Sequence, residues 1–312
     1  NSMTRLLITG ASGLLGLNLA LLTADKDYEV TGWTNQHSLS DVPFTTEQVD
    51  LTDFAAIPDK LDALKPELII NCAAIANVDA AARDTKLAHV VNGVVPGVLA
   101  DEAARIGVKF IHISTDAVFD GVRGDYREID MPNPLNVYAY SKLEGELAVQ
   151  KANPEAIIAR VVFYGWSLSG TRSLAEFFYN HLEAEQPVRG YTDMYFTPLY
   201  VRHLAEVLLK MAEKDLSGTW HVFGSETLSK YAFGVSLAHQ FGFDPTLVSP
   251  VSTPEGEEDV RRSLRLTMNI DKLTEALGGD LPGVSEGLAA LQADRDNGLR
   301  DQIRAIGEGS SR

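Results

Sequence analysis

The chain has one cysteine in 312 residues, Cys72, so no disulfide framework forms within it. That fits a reducing compartment and points to the cytoplasm. Cys72 closes the apolar run Leu68-Ile69-Ile70 and is expected to be a buried, inert thiol. Positive charge is also short: 27 lysines and arginines face 43 acids, a net charge of −16. Such a surface excludes general affinity for nucleic acid or for an anionic membrane. It leaves room for a small anionic substrate, since a few local cations and a helix N-terminus suffice. No apolar run is long enough to span a bilayer, and the N-terminal residues enter a strand without the pattern of a secretory leader. The seven histidines are scattered, with no ligand-like pair on a helix face, so no metal site is expected. Repeats, low-complexity tracts and long linkers are lacking too. What is there is an ordinary globular composition, 45% apolar and 22% charged, long enough for one large domain or two lobes.

Thr4–Thr9 reads as a buried strand. It runs into Gly10-Ala11-Ser12-Gly13-Leu14-Leu15-Gly16 and then a helical run through Leu22. A strand, G-x-x-G-x-x-G and a helix form a dinucleotide-binding signature. The glycines allow a tight turn, a close backbone approach to pyrophosphate, and close helix–strand packing, and the helix N-terminus offers free N–H groups to the phosphates. Gly10, Ser12, Gly13, Leu14, Leu15 and Gly16 are therefore expected to bind cofactor. Strand two, Glu29–Trp33, ends in Thr34-Asn35, with no acid before Asp41 to take the ribose hydroxyls of NAD. That favours NADP, with NAD left open because no arginine stands there for a 2′-phosphate. A short third strand is expected over Gln48–Asp53, with Asp50 and Leu51 meeting the adenine; Asp53 alternatively caps the following helix.

Strand four is Leu68–Cys72, closed by Ala73-Ala74, small enough for a cofactor to lie against the backbone. A long helix is expected from about Val78 to Ile106. Its mid-helix Asn92 reads either as a core hydrogen bond or as a brace for the strand-four turn. Strand five, Lys109–Ile113, ends in Ser114-Thr115-Asp116, where hydroxyls at the carboxyl end of a parallel strand face the ligand crevice. A turn-rich loop leads to a helix starting near Asn136, which carries Tyr138 and Lys142. Four apart, they share one helix face. A cation beside the phenol is expected to lower the tyrosine pKa and make it a usable acid near neutral pH. Strand six is Ala156–Val162. This alternation predicts a doubly wound parallel sheet with right-handed crossovers.

After Gly165 the pattern changes to helices near Leu174–Leu182, Val201–Met211 and Tyr231–Phe241, with short strands near Pro187–Arg189 and Thr219–Phe223. Ser249–Glu258 reads as an exposed loop. Arg261, Arg262 and Arg265 follow as the chain's arginine cluster, either a clamp for an anionic substrate or surface balance. The tail from Ser285 reads as one polar-faced helix fraying into Gly307–Arg312. The expected division is a dinucleotide-binding domain over 3–165 and a smaller mixed α/β substrate lobe over 166–312, some of whose segments return to the first domain.

Gly10-x-x-Gly13-x-x-Gly16, Asn71-Cys72-Ala73-Ala74, Ser114-Thr115-Asp116 and Tyr138-x-x-x-Lys142 together resemble the extended short-chain dehydrogenase/reductase family, a Rossmann fold. Within it the chain is most similar to the dTDP-4-dehydrorhamnose reductases. The carrying phrases are Ile113–Gly121, Pro134–Tyr138 with Ser141–Glu146, and Asn92–Ala100, and the similarity thins after Gly165. The resemblance implies an NADP-dependent reductase of a 4-keto sugar nucleotide. Tyr138 would donate the proton, Lys142 would tune it and hold the nicotinamide ribose, and Thr115, with Ser114 as a second hydroxyl, would bind the carbonyl. Asp116, Ala117, Phe163, Arg262 and Arg265 are candidate substrate contacts, with Phe163 and Tyr164 offering stacking. The family's dehydratases carry an acid after the strand-five aspartate; Ala117 stands there instead, which disfavours dehydration. The rhamnose-type reductases carry an aromatic at that position, so the particular sugar is not implied. Two other readings are a sugar-nucleotide epimerase with tightly held NAD, and a silent NADP-binding regulatory subunit like the methionine adenosyltransferase β subunit. The resemblance is compatible with a homodimer.

Overall fold

The structure, a computed structural model, describes residues 3–254 and 264–310. Its first half alternates strand and helix: β1 (Thr4–Thr9), α1 (Leu14–Ala24), β2 (Tyr28–Thr34), β3 (Thr45–Gln48), α2 (Ile57–Leu64), β4 (Leu68–Asn71), α3 (Val78–Arg83), α4 (Thr85–Ala88), α5 (Val95–Ile106), β5 (Lys109–Thr115), α6 (Val137–Ala152) and β6 (Ile157–Val161). Among the described residues these strands and Gly218–Val222 form one seven-stranded parallel sheet, in the order Gly218–Val222, β6, β5, β4, β1, β2, β3. The order reverses at β1, which lies between β4 and β2. In an open α/β sheet the crevice beyond the strand ends at such a reversal is where ligands bind.

Helices cover both faces, so the strands are apolar on both sides. Leu6, Ile8, Ile70 and Ile111 pack on one face with α1 and the helix Val201–Glu213. Leu7, Ile69, Phe110 and Ile158 pack on the other with Leu61 of α2, Leu99 of α5 and Val149 of α6. Each such leucine, fully buried, contributes about 1.5–3 kcal/mol relative to exposure. Beyond β6 the chain adds the helices Leu174–Glu183, Lys230–Phe241 and Val284–Asp296; Phe178 and Tyr179 of the first, Phe233 of the second and Leu288 and Leu291 of the third join the first apolar cluster.

Several expected boundaries move. The third strand is Thr45–Gln48, not Gln48–Asp53; Asp50 and Leu51 lie in the turn behind it. It is a polar edge strand and lacks the apolar alternation that marks a strand locally. Asp53 sits at the N-cap position of the short 3-10 turn Phe54–Ala56 but makes no side-chain cap bond. The expected long helix is broken into α3, α4, a π-helical turn at His89–Val94, and α5. Val248–Val251, whose last three residues fall in the expected Ser249–Glu258 loop, pairs as a strand with Val188–Tyr191. The tail is two helices, interrupted at Gly298 (φ +92°), and the second, Leu299–Ser310, stays helical through Ser310 because Leu299, Ile303 and Ile306 are buried.

Candidate active site

The loop after β1 is built for close backbone approach. Gly10 has φ +64°, and a Cβ there would stand 2.6 Å from the Ala73 nitrogen. A Cβ on Gly16 would stand 2.1 Å from the Gly10 carbonyl oxygen. Gly13 caps α1 with no side-chain bond, so the first-turn N–H groups of Leu14, Leu15 and Gly16 face the crevice without a capping acceptor. At the end of β2, Thr34 is buried and its Oγ1 finds no partner among the described residues, while Asn35 is exposed. A cradle of free amides with an unmatched buried hydroxyl at the adenosine end suits a dinucleotide. Asp50 is exposed behind β3, and its Oδ1 accepts from Thr52 N at 2.9 Å and Thr52 Oγ1 at 2.6 Å, which holds the carboxyl below its ordinary range. Leu51 packs partly against the apolar cluster under β1 and β4.

Ala73 and Ala74 leave β4 half-buried, and Ile75 behind them is tied down by Asn92. Asn92 Oδ1 accepts from Ile75 N at 2.8 Å, and its Nδ2 donates to Ile75 O at 3.1 Å and to Ser141 Oγ at 3.0 Å. The π turn is what brings this amide to three partners at once, a local distortion typical of functional sites. Ser141 Oγ in turn donates to the Tyr138 carbonyl at 2.8 Å. The β4 turn and α6 are thereby joined through one side chain.

Asn136 starts α6 by accepting from Ala139 N at 2.8 Å. Its first turns carry Tyr138 to the end of β5, where the Thr115 hydroxyl stands near enough to act on the phenol. Thr115 Oγ1 also accepts from Ala117 N at 3.1 Å and donates to Asp116 Oδ1 at 3.2 Å, which places half-buried Ala117 at the same turn. Asp116 is enclosed, and burial pushes its carboxyl up to about 7 against the Thr115 bond and the charge of Lys230. Lys142 is buried, and its Nζ donates to the Ile113 carbonyl at 2.7 Å.

The expected lowering of the Tyr138 pKa is corrected. Burial pushes the phenol up to about 12; the nearby Thr115 hydroxyl opposes this, Asp116 adds to it, and the cation of Arg172 opposes it. Lys142 gives no relief because it is turned onto the Ile113 carbonyl and is itself brought down to about 8 by burial, with Glu146 pulling the other way. Desolvation outweighs the pairing expected from helix spacing. Ser114 is likewise not placed with Tyr138: its hydroxyl donates to Glu146 Oε1 at 2.6 Å under α6.

Phe163 is half-buried and packs against the core, and Tyr164 is enclosed between Tyr200 and Phe233, so its ring does not offer a stacking face. Arg265 is exposed in the strand Arg265–Leu266, its N donating to the Gly121 carbonyl at 2.8 Å. Arg261 and Arg262 lie outside the described residues. The sequence reading missed Arg172, Lys230 and the buried Glu146–Arg160 pair. An arginine inside the apolar strand Ala156–Val162 was the available signal.

The family model described as RmlD substrate binding domain matches residues 3–296. The chain belongs to that family. It is thus an oxidoreductase of the extended short-chain dehydrogenase/reductase type, as the glycine loop and Tyr138-x-x-x-Lys142 anticipate. Among curated relatives of this RmlD-type chain, the probable low-salt glycan biosynthesis reductase Agl14 of Haloferax volcanii is 33% identical over 291 residues, 92% of this chain and 96% of the relative. The methionine adenosyltransferase 2 subunit beta of Xenopus tropicalis is 33% identical over 256 residues, 80% of this chain and 75% of its own. Among solved structures, the dTDP-4-dehydrorhamnose reductase of Bacillus anthracis in complex with NADP superimposes with a TM-score of 0.81 at 25% identity, covering 94% of this chain and 99% of that one.

Proposed function

We propose that this RmlD-type chain reduces a 4-keto sugar nucleotide with NADPH. The observation that carries the reading is the meeting of Tyr138 with Thr115 at the carboxyl end of β5, with Lys142 buried one turn further along α6. In this reading Thr115 and Tyr138 hold the substrate carbonyl oxygen, and the phenol passes its proton to that oxygen as the carbon is reduced. A bound NADPH would supply the hydride. A neutral phenol with a raised pKa keeps its proton at neutral pH, and the transfer becomes favourable once the substrate oxygen, gaining charge as hydride arrives, is the stronger base. The uncapped N-terminus of α1 would hold the pyrophosphate, and Thr34, where an acid would repel a 2′-phosphate, supports NADP over NAD. The Bacillus anthracis structure with NADP supports the same cofactor and substrate class.

NADPH oxidation against a panel of 4-keto-6-deoxy sugar nucleotides, with NADH in parallel, tests this. Turnover with NADPH is expected. The likeness to the methionine adenosyltransferase 2 subunit beta favours a second reading, a cofactor-binding subunit without turnover. Tight NADPH binding with no oxidation against any member of the panel, together with capture of a stable protein partner, would replace the first reading with that one.

A further inference from the structure

The face of α6 that carries Tyr138 and Lys142 continues one turn further to Glu146. Glu146 is only 4% exposed. Its Oε1 accepts from Ser114 Oγ at 2.6 Å and from Arg160 Nε at 2.9 Å, and its Oε2 accepts from Arg160 Nη2 at 2.8 Å. Arg160, equally enclosed on β6, has Nη1 3.2 Å from His221 Nε2 and its guanidinium 5.0 Å from the Phe119 ring. His221 Nδ1 lies 3.0 Å from the Tyr126 carbonyl, which fixes the proton there and leaves Nε2 to accept from Arg160.

Such a pair is a poor device for stability alone. Burying two charges costs about as much as their attraction returns, and apolar residues of the same volume often serve a core as well. Here the pair stands beside a buried lysine. Lys142 meets few other charges: Cys72, at the end of β4, is pushed up to about 12 by burial and stays a neutral thiol, and His112 on β5 is held neutral by burial. Tyr138 on its own helix is neutral as well, and Arg160 on β6 is cationic. Glu146 is the fixed negative charge set against Lys142.

We propose that Glu146, clamped by Arg160 and Ser114, is a positioning residue whose carboxylate keeps Lys142 an ammonium ion at neutral pH and holds it on the Ile113 carbonyl of β5. The role assigned to Lys142 rests on the reductase reading; the charge coupling does not. Without Glu146 the desolvated lysine loses its proton closer to neutral pH.

The test reads Lys142 directly in the full chain, by NMR titration of carbon-13-labelled lysine, its signal assigned by its absence in Lys142→Met. Wild type is expected to titrate near the value of about 8 that burial imposes. Glu146→Gln should move the midpoint down by about 1 pH unit, the lower end of the effect of a nearby opposite charge. The double variant Glu146→Gln/Arg160→Met leaves no unpaired buried charge, so it stays readable where the single variant fails to fold, and it should move in the same direction. Glu146→Asp, which keeps the charge, should keep the wild-type midpoint. An unmoved midpoint in either folded Gln variant overturns the proposal. In turnover, the alkaline limb of kcat/KM should shift down with the midpoint, and activity should return at lower pH, which a merely structural pair would not produce. A midpoint shifted in Glu146→Gln, with a wild type that turns over no substrate, would sink the reductase reading and leave the coupling standing; wild-type turnover with an unmoved midpoint in Glu146→Gln would do the reverse.

Discussion

The two ends of the crevice are made differently. The end proposed for the cofactor is backbone: Gly10 under the Ala73 nitrogen, Gly16 under the Gly10 carbonyl, and bare amides at the start of α1. The end proposed for substrate is side chain: Tyr138, Thr115, Asp116 and Lys142, gathered from α6 and the end of β5, with the phenol, the carboxyl and the ammonium each shifted by burial. A backbone site tolerates many side chains but no added Cβ. A side-chain site tolerates changes of packing but not of proton inventory. That difference says which substitutions should separate binding from chemistry.

The largest expected effect is chemical. Tyr138→Phe should cut kcat by about 10²–10⁴-fold, the usual worth of a positioned acid, while NADPH affinity stays nearly unchanged. Steady-state kinetics beside a fluorescence binding titration check both halves. Gly10→Val should do the opposite. A β-branched residue at φ +64°, pressed on the β4 turn, should abolish NADPH binding and cost roughly 1–3 kcal/mol of stability, read by titration and thermal melting. If Gly10→Val bound NADPH normally, the backbone account of that end would be wrong.

Asp116 gives a pH-dependent contrast. Its folded pKa is raised from 3.8 to about 7, so the native state holds a proton that the unfolded state has lost between those values, and this group makes the protein less stable as pH rises through that window. Asp116→Asn should therefore stabilise the protein above pH 7, by up to roughly 4 kcal/mol from linkage at about 1.4 kcal/mol per pH unit, and change little below pH 4. Denaturant melts at the two pH extremes decide it; equal effects at both would show the carboxyl is not desolvated. The smallest effect sits between the two ends. Asn92→Leu leaves the Ile75 N–H unsatisfied and should cost about 1–3 kcal/mol, with a modest loss of both NADPH affinity and kcat.

Much of this was legible in the chain because it is local. Gly10-x-x-Gly13-x-x-Gly16 between a strand and a helix means the same thing wherever it occurs, and a four-residue spacing on a helix fixes a shared face. What was not legible depends on distant partners. Ser114 and Thr115 are adjacent hydroxyls, but successive strand residues point to opposite faces, so one meets Glu146 under α6 and the other meets Tyr138. The spacing of Tyr138 and Lys142 could not reveal that the ammonium lies on the Ile113 carbonyl. Nor could any local pattern show Gly218–Val222 joining the sheet beside β6. The polar strand Thr45–Gln48 is held by pairing with β2 and carries no apolar signature of its own.

The most direct test of the central claim is a single turnover with NADPH deuterated at its transferable position and a 4-keto-6-deoxy sugar nucleotide, read by mass spectrometry of the sugar product. The account predicts that wild type transfers the deuterium to the sugar carbon, and that Tyr138→Phe binds the same cofactor but transfers none on that timescale. Equal deuterium transfer by both proteins would contradict it.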